Sequence, residues 1–126
     1  MSWKFAADAP IYLQAAEVIK LRILTGAYPP GTYIPSVREL AQEAAVNPNT
    51  MQKALSMLES TGLLNTHRNT GRIVTDNEDL IRCLRLEQAH TYVDTCRKQL
   101  ASLGFGTKEI RSMLARWSDK SESEKE

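Results

Sequence analysis

Polar side chains that both donate and accept hydrogen bonds recur in the stretch VNPNTMQKALS, residues 46–56. At 100° per residue, its apolar positions share one side of a helix and its polar positions lie on the opposite side. The outward side carries Asn49, Thr50, Gln52, Lys53 and Ser56, with no acidic residue before Glu59. This set is suited to hydrogen bonding with another polar surface rather than to breaking covalent bonds.

A DNA major groove is one surface that this outward side would fit. Asn and Gln pair with adenine edges there, and Lys pairs with guanine or with phosphate. A helix side that simply faces water is the alternative for this stretch taken alone. Arg38 lies just upstream, on a predicted helix, and points away from that helix's apolar side. Ser36 is at the N-terminus of the same predicted helix, where its hydroxyl could bind phosphate as well as cap the helix.

A predicted hairpin adds basic residues close to the same region. His67, Arg68 and Arg72 surround Gly71 at its tip, where they could reach a nucleic-acid backbone or minor groove. Because the two helices and the hairpin each offer such groups, we favour nucleic-acid binding over a merely solvated surface.

Catalytic and metal-binding patterns are not found in the sequence. It contains no nucleophile–base set, no metal-ligand spacing and no phosphate-binding loop, so it predicts no enzyme, no metal and no cofactor. Cys83 and Cys96 fall on one predicted helix about 20 Å apart, which is too far for a disulfide.

The elements that position these residues follow from caps and periodicity. Ser36 and Glu39 form a capping box, and Asn47 with Pro48 starts the next helix after a tight break, which predicts a helix-turn-helix. The hairpin directly after it predicts a wing. The predicted helices cover residues 10–25, 36–44, 47–61, 77–103 and 107–117, and the predicted strands cover 32–34, 63–67 and 72–75.

The rear of the chain has a pattern of its own. Apolar residues from Leu86 to Leu103 follow alternating steps of three and four, which is a heptad seam. The last helix is amphipathic as well, so a partner chain is predicted, although packing of the two helices on each other is the alternative. The predicted dimer interface consists of Leu86, Ala89, Val93, Cys96, Leu100, Leu103, Ile110, Leu114 and Trp117.

Composition and charge restrict the class of protein. The chain has 126 residues, 42% hydrophobic and 25% charged, with a net charge of +1. It contains no apolar run of the ~18 residues that a membrane span requires and no signal-peptide core at its N-terminus. The charged end SDKSESEKE is predicted to be disordered. We therefore expect a cytoplasmic protein with domains at 1–76 and 77–117 and a tail at 118–126.

Several motifs together carry a family resemblance. PIY at 10–12, the G…PPG turn at 26–31, PSVRELA at 35–41, VNPNT at 46–50 and LESTGLL at 58–64 resemble the winged helix-turn-helix domain of GntR family bacterial transcription regulators. The resemblance covers residues 9–75, and the short rear part is similar to the YtrA-type subgroup. It implies DNA-binding roles for Ser36, Arg38, Asn47, Asn49, Thr50, Gln52, Lys53, Arg68 and Gly71.

The wing departs from the family pattern. Family members often read approximately R-R-G-K/R-G where this chain has the residues HRNTG at 67–71. With less basic charge, its binding to phosphate is expected to be weaker and less dependent on salt.

Together, these patterns predict a mainly α-helical protein with a small β-wing and a two-helix dimerisation region. Its expected partners are double-stranded DNA and a second copy of the chain, and its expected role is repression at a palindromic operator. A winged-helix module that binds protein without specific DNA binding is the alternative. The sequence does not identify a small-molecule effector. The rear region is too small for an obvious cavity of ~300 Å³ or more within one subunit, but a ligand could bind between domains or subunits.

Overall fold

The computed structural model describes residues 3–67 and 70–125, with side chains described up to residue 117. The predicted fold class is confirmed: the described chain is mainly helical, with one small antiparallel sheet. Its elements are α1 (Ile11–Leu24), α2 (Val37–Ala44), α3 (Pro48–Ser60), β1 (Leu64–His67), β2 (Gly71–Val74), α4 (Glu78–Ser102) and α5 (Thr107–Lys125).

The chain divides into two compact units, Met1–Arg85 and Leu86–Glu126. This division falls within α4, whereas the sequence pattern suggested a boundary at residue 77. The first turns of α4 belong to the first unit because Ile81 is buried in its core and Leu84 packs against that core.

Local signals in the sequence determine where α2 and α3 begin. The Ser36 hydroxyl accepts a hydrogen bond from the Glu39 amide at 3.2 Å, and the Glu39 carboxylate accepts one from the Ser36 amide at 3.1 Å. The Asn47 side-chain oxygen accepts from the Asn49 amide at 2.8 Å, and Pro48 is the first residue of α3. The predicted capping box and the predicted start of α3 are both confirmed.

The connection between α2 and α3 is tight because Ala45 adopts a left-handed conformation, with φ 57°. This allows the Ala45 and Val46 amides to donate to the carbonyl oxygens of Gln42 and Ala41 at 3.2 and 3.0 Å. The last turn of α2 is thereby satisfied within two residues. The helix-turn-helix geometry follows directly from this turn.

A single hydrophobic core holds the first unit together. It joins α1, α2, α3, the paired strands and the start of α4, and its largest fully buried side chains include Ile19, Leu40, Met51 and Leu55. Ile11 lies two four-residue steps before the buried Ile19 on α1, and yet it is 44% exposed. It lies in the first turn of α1, where it lines an open cleft rather than the core.

The wing is an antiparallel pair that is buried at its base and exposed at its tip. Leu64 pairs with Val74 in the core, and His67 pairs with Gly71 at the exposed end. The predicted short strand at residues 32–34 is present only as a single bridge, in which Tyr33 pairs with Ile73. Pro35 follows immediately and cannot extend the ladder, because it lacks an amide proton.

The second unit consists of the remainder of α4 and of α5. α5 continues to Lys125, whereas the sequence pattern ended it at Trp117 and assigned a disordered tail to residues 118–126. No Gly or Pro follows Thr107, and the Lys and Glu residues of this segment have good helix propensity. An open cleft of about 420 Å³ lies in this unit, larger than the sequence led us to expect. Its lining residues are Phe105, Lys108, Glu109, Ser112, Met113 and Arg116.

Within the described ranges, no helix is both long and apolar enough to cross a membrane.

Candidate nucleic-acid interface

The two sides of α3 are as different in the structure as the sequence predicts. Met51, Ala54, Leu55 and Leu58 are buried against the rest of the first unit. The opposite side is open to solvent and presents Asn49, Gln52, Lys53 and Ser56. α3 therefore offers amide, hydroxyl and ammonium groups along an accessible surface, as a helix that enters a DNA groove must do.

A cleft of about 460 Å³, here called the wing cleft, brings the start of α2 together with the wing. Arg38 lines it from α2, and Thr70, Gly71 and Arg72 line it from the wing. Arg38 is exposed and forms no ion pair with the acidic side chains that the structure describes. Glu39, whose carboxylate accepts a hydrogen bond from the Ser36 amide, lines the same cleft. The sequence did not predict that Arg38 and the wing would share one cleft.

Arg72, which was predicted to bind DNA, forms an ion pair with Glu59. Its Nε donates to the Glu59 carboxylate at 2.6 Å, and its side chain is only 13% exposed. The Thr66 hydroxyl also donates to Glu59. Arg72 therefore ties the wing to the end of α3 rather than projecting freely from the hairpin.

This arrangement changes the acidity of Glu59. Burial alone would raise the pKa of its carboxyl group, but the hydrogen bonds from Thr66 and Arg72 and the charge of Arg72 outweigh that effect. The resulting pKa lies below the usual value for Glu. Glu59 therefore stays ionised as the acceptor of both wing residues at neutral pH.

A second cleft, here called the α1 cleft, lies between the first turns of α1 and α3 and measures about 400 Å³. Asn49, Thr50 and Lys53 line it from α3, while Ile11 and Tyr12 line it from α1. The ammonium of Lys53 lies over the Tyr12 ring, 4.0 Å from its centroid. Tyr12 is a residue that the sequence did not indicate as part of the site, since no local periodicity links positions 12 and 53.

The remaining predicted DNA-binding residues have mixed environments. The Ser36 hydroxyl and the side-chain oxygen of Asn47 already accept hydrogen bonds as helix caps, although both side chains are exposed. Gly71 has φ 110°, a conformation that favours glycine at the hairpin tip. Gln52 is exposed on α3. Arg68 lies outside the described residues.

Tyr33 adds a further contact at the wing. Its hydroxyl donates to the Thr70 hydroxyl oxygen at 3.2 Å, and its ring meets the His67 ring edge-on with centroids 6.3 Å apart. The exposed end of the hairpin therefore rests on an aromatic side chain from the segment before α2.

A cluster of polar and aromatic side chains supports the helix-turn-helix. The spacing of residues along the sequence did not predict this cluster. Arg22 donates to Glu43 and to the Tyr28 hydroxyl, both at 2.6 Å, and its guanidinium lies 5.0 Å from the Trp3 ring. The hydrogen bond from Arg22 is the largest of the effects that lower the pKa of the Glu43 carboxyl. The cluster ties the N-terminal segment and α2 to α1, and so holds the helix-turn-helix in place.

The predicted dimer-interface residues fall into three groups in the second unit. Ile110 is buried within the single chain, which differs from its prediction as an interface residue. Cys96 and Leu100 are half-buried. The others are exposed, namely Leu86, Ala89, Val93, Leu103, Leu114 and Trp117.

The described residues contain no group of His, Cys, Asp and Glu side chains that could hold a metal ion. A helix-turn-helix with a polar outward helix, followed by a two-stranded wing, defines the class of winged helix-turn-helix proteins.

The chain belongs to the gntR family of bacterial regulatory proteins, whose family model matches residues 11–74. The predicted family is thus confirmed, and the protein is a DNA-binding transcription regulator rather than an enzyme. The chain is 33% identical to the HTH-type transcriptional regulator YhcF of Bacillus subtilis over 110 residues, which cover 87% of this chain and 91% of YhcF.

A second relative from Bacillus subtilis is the HTH-type transcriptional repressor YtrA, with 41% identity over 71 residues. The match covers 56% of this chain and 55% of YtrA, so the chain spans about half of that relative's length. This similarity is consistent with the predicted YtrA-type subgroup.

Solved structures support the same assignment. A GntR family transcriptional regulator from Listeria monocytogenes has a TM-score of 0.82 and 33% identity, and the match covers 89% of this chain and 98% of that one. The structure of AraR(DBD) in complex with operator ORX1 has a TM-score of 0.54 and 32% identity, covering 57% of this chain and 93% of that one.

Proposed function

We propose that this regulator is a homodimeric repressor that binds a palindromic operator through α3 and the wing cleft. The observation that supports the DNA contact most directly is the outward side of α3. It presents exposed amide and ammonium groups and has no acidic side chain before Glu59. Glu59 itself points toward the wing, where it accepts hydrogen bonds from Thr66 and Arg72. A phosphate-lined groove would repel an acidic helix side and accept this one.

Within this proposal, different residues perform different tasks. Asn49 and Gln52 hydrogen-bond to base edges in the major groove, where amide side chains recognise adenine. Arg38 binds backbone phosphate from the wing cleft and fixes the register of α3. Ser36, Asn47 and Thr50 contribute hydroxyl and amide groups at the two helix starts, and Gly71 allows the hairpin to approach the backbone closely.

Dimerisation is proposed from the apolar side chains that the second unit leaves in water. Leu86, Val93, Leu103 and Trp117 are between 57% and 73% exposed in the single chain. Burying a side chain of this size contributes about 1.5–3 kcal/mol. A second copy that covers this surface would bury several such side chains at once and present two α3 helices to one DNA site.

Repression is the regulatory outcome that we propose, by analogy with YtrA, which is named as a transcriptional repressor. A dimer on a palindrome occupies about two turns of DNA and can exclude polymerase from a promoter. Such a protein would act in the cytoplasm of a bacterium, where the chromosome is accessible.

Selection of bound sequences from random DNA tests the proposal. We expect enrichment of an inverted repeat whose half-sites lie about 10 base pairs apart or a multiple of that spacing. Enrichment of no sequence at low and moderate salt would overturn specific binding, and enrichment of a single half-site would overturn the dimer. Transcription in vitro from a promoter that contains the selected site should then fall when the protein is added; an increase would make it an activator.

A further inference from the structure

The α1 cleft holds a contact that the function proposed above does not explain. Lys53 extends from the recognition helix α3, yet its ammonium lies 4.0 Å from the centroid of the Tyr12 ring on α1. Lysine has a flexible four-carbon stem and would otherwise sample many directions from an exposed helix side. The contact with the Tyr12 ring therefore favours the orientation of Lys53 toward α1.

This direction decides which part of DNA Lys53 can reach. When a helix lies in the major groove, side chains that point away from the groove floor meet the sugar-phosphate backbone at its walls. Lys53 points sideways from α3, toward the first turn of α1. Asn49 and Thr50 complete the cleft with neutral polar groups, and none of its lining residues is acidic.

We propose that Tyr12 is a positioning residue of the DNA interface, whose ring holds Lys53 so that its ammonium binds a backbone phosphate rather than a base. The ring occupies one face of the ammonium group. Lysine has three N–H donors, so the others stay available to phosphate oxygens while the contact with the ring is kept. This inference rests on the proposed binding of DNA by α3 and assigns Lys53 to affinity rather than to sequence reading.

The two possible roles of Lys53 predict different results. A phosphate contact that is lost weakens binding by the same factor on every sequence and lowers the salt slope by about 0.9 for each subunit bound. A base contact that is lost relaxes specificity at one position and leaves most of the salt slope intact. We expect Lys53→Met to weaken binding equally on the selected operator and on random DNA of equal length, with the lower slope.

A double-mutant cycle isolates the role of Tyr12. A cation–π contact at an exposed site corresponds to about a two- to fivefold effect on an equilibrium, so Tyr12→Leu should weaken DNA binding by that factor. Tyr12→Phe keeps the ring, so this variant should bind DNA with nearly the affinity of the wild type. In the Lys53→Met background, Tyr12→Leu should have no further effect, because the residue that it positions is already gone.

Lys20→Met serves as the charge-matched control. Lys20 lies on α1, as Tyr12 does, and pairs with Glu17 at 3.4 Å. It does not line the α1 cleft. The control reports how much of any effect comes from a lower net charge alone. Far-UV circular dichroism and thermal unfolding of each variant verify that it is folded.

A measurement without DNA reports on the contact itself. The ring current of Tyr12 should shift the ε-methylene protons of Lys53 upfield in the NMR spectrum. This shift should persist in Tyr12→Phe and disappear in Tyr12→Leu.

The outcomes separate failure of the inference from failure of the proposed function. A wild-type protein that binds the selected operator no better than random DNA refutes the proposed function itself. If the wild type binds specifically, an equal loss from Tyr12→Leu with and without Lys53 assigns Tyr12 to structure alone and overturns the inference. Tighter binding by Tyr12→Leu would also overturn it, because the ring would then be withholding Lys53 from DNA. Relaxed specificity in Lys53→Met would reassign Lys53 to a base.

Discussion

The environment of Arg38 indicates a functional role rather than a structural one. It is exposed at the start of α2, lines the wing cleft and has no acidic partner among the described side chains. Arg22, by contrast, is surrounded by Trp3, Tyr28 and Glu43. The same residue type therefore stabilises the fold at one position and is left available to a ligand at the other.

We predict that Arg38→Ala weakens operator binding by about tenfold or more, because a hydrogen bond to a charged group contributes about 1.5–3 kcal/mol. Thermal stability should change by less than about 0.5 kcal/mol, since the side chain is exposed. Fluorescence anisotropy with labelled operator, beside thermal unfolding, measures both. Arg82→Ala removes the same charge from an exposed side chain of the first unit and is the matched control. A large loss of stability with normal affinity would reassign Arg38 to the fold.

Residue-level prediction from sequence succeeded where the signal was local. The Ser36–Glu39 capping box and the Asn47–Pro48 start involve residues at most three positions apart, so the pattern of residue types is sufficient to identify them. The Lys53–Tyr12 and Arg72–Glu59 contacts join different elements. Their formation depends on how helices pack, which neither charge nor periodicity along the chain reveals.

At the level of elements, the wing is attached to α3 through one carboxylate. Glu59, in the last turns of α3, accepts hydrogen bonds from Thr66 on β1 and Arg72 on β2. A two-stranded hairpin is marginally stable in isolation. This contact, together with burial of Leu64 and Val74, fixes the wing relative to α3, the helix that we propose enters the groove.

Loss of the Glu59 carboxylate should therefore loosen the wing selectively. We predict that Glu59→Ala speeds amide hydrogen exchange in β1 and β2, with little change in α1 and in the first turns of α3. The cost in global stability should be about 1 kcal/mol, because both partners are partly solvated. Ser60→Ala changes an exposed neighbour and is the control. Equal acceleration throughout the first unit would mean that Glu59 supports the core rather than the wing.

The same carboxylate makes stability depend on acid. The folded-state pKa values of Glu59 and Glu43 lie below their usual value, so the unfolded chain takes up protons first as the pH falls. Their stabilising contribution is fully present above the unfolded-state pKa of about 4.3 and is lost as the pH falls through the lower folded-state values.

We therefore predict a flat melting temperature from pH 7 to about 5 and a steep decrease between about 5 and 3. Glu59→Gln should start from a lower melting temperature and lose less over the acidic range, because one of the two linked groups no longer titrates. Scanning calorimetry across the pH series measures this. The idea fails if wild type and variant lose stability in parallel.

At the scale of the whole molecule, the sequence predicted the first unit better than the second. The winged unit is specified by caps, a tight turn and a closed core, and these signals agree with one another. In the second unit, α5 continues past Trp117 to Lys125. Residues 118–125 have no apolar periodicity, so the sequence pattern did not predict this extension, but their Lys and Glu residues have good helix propensity. Leu86, Val93 and Leu103 of the heptad spacing are exposed in the single chain, whereas Ile110, predicted from the amphipathic pattern of the last helix, is buried within it.

Val93 provides the most direct test of the proposed assembly. It lies in the middle of the heptad seam and is 58% exposed in the single chain, so a carboxylate there costs the isolated subunit little. In a dimer that covers the seam, Val93→Asp would bury a charge on each chain and place like charges close together, at a cost of several kcal/mol. We predict a monomer whose winged unit remains folded, because the core of that unit does not include Val93.

The monomer should lose the benefit of two linked binding domains. Operator affinity then falls far more than affinity for random DNA, because the second domain no longer binds at a high effective concentration. Sedimentation velocity, with titrations on the palindrome and on one half-site, measures both effects. Thr95→Asp places the same charge on an exposed position of α4 outside the seam, and it should stay dimeric. A Val93→Asp protein that remains dimeric would place the interface elsewhere, and a monomer with undiminished operator affinity would mean that each chain reads its DNA alone.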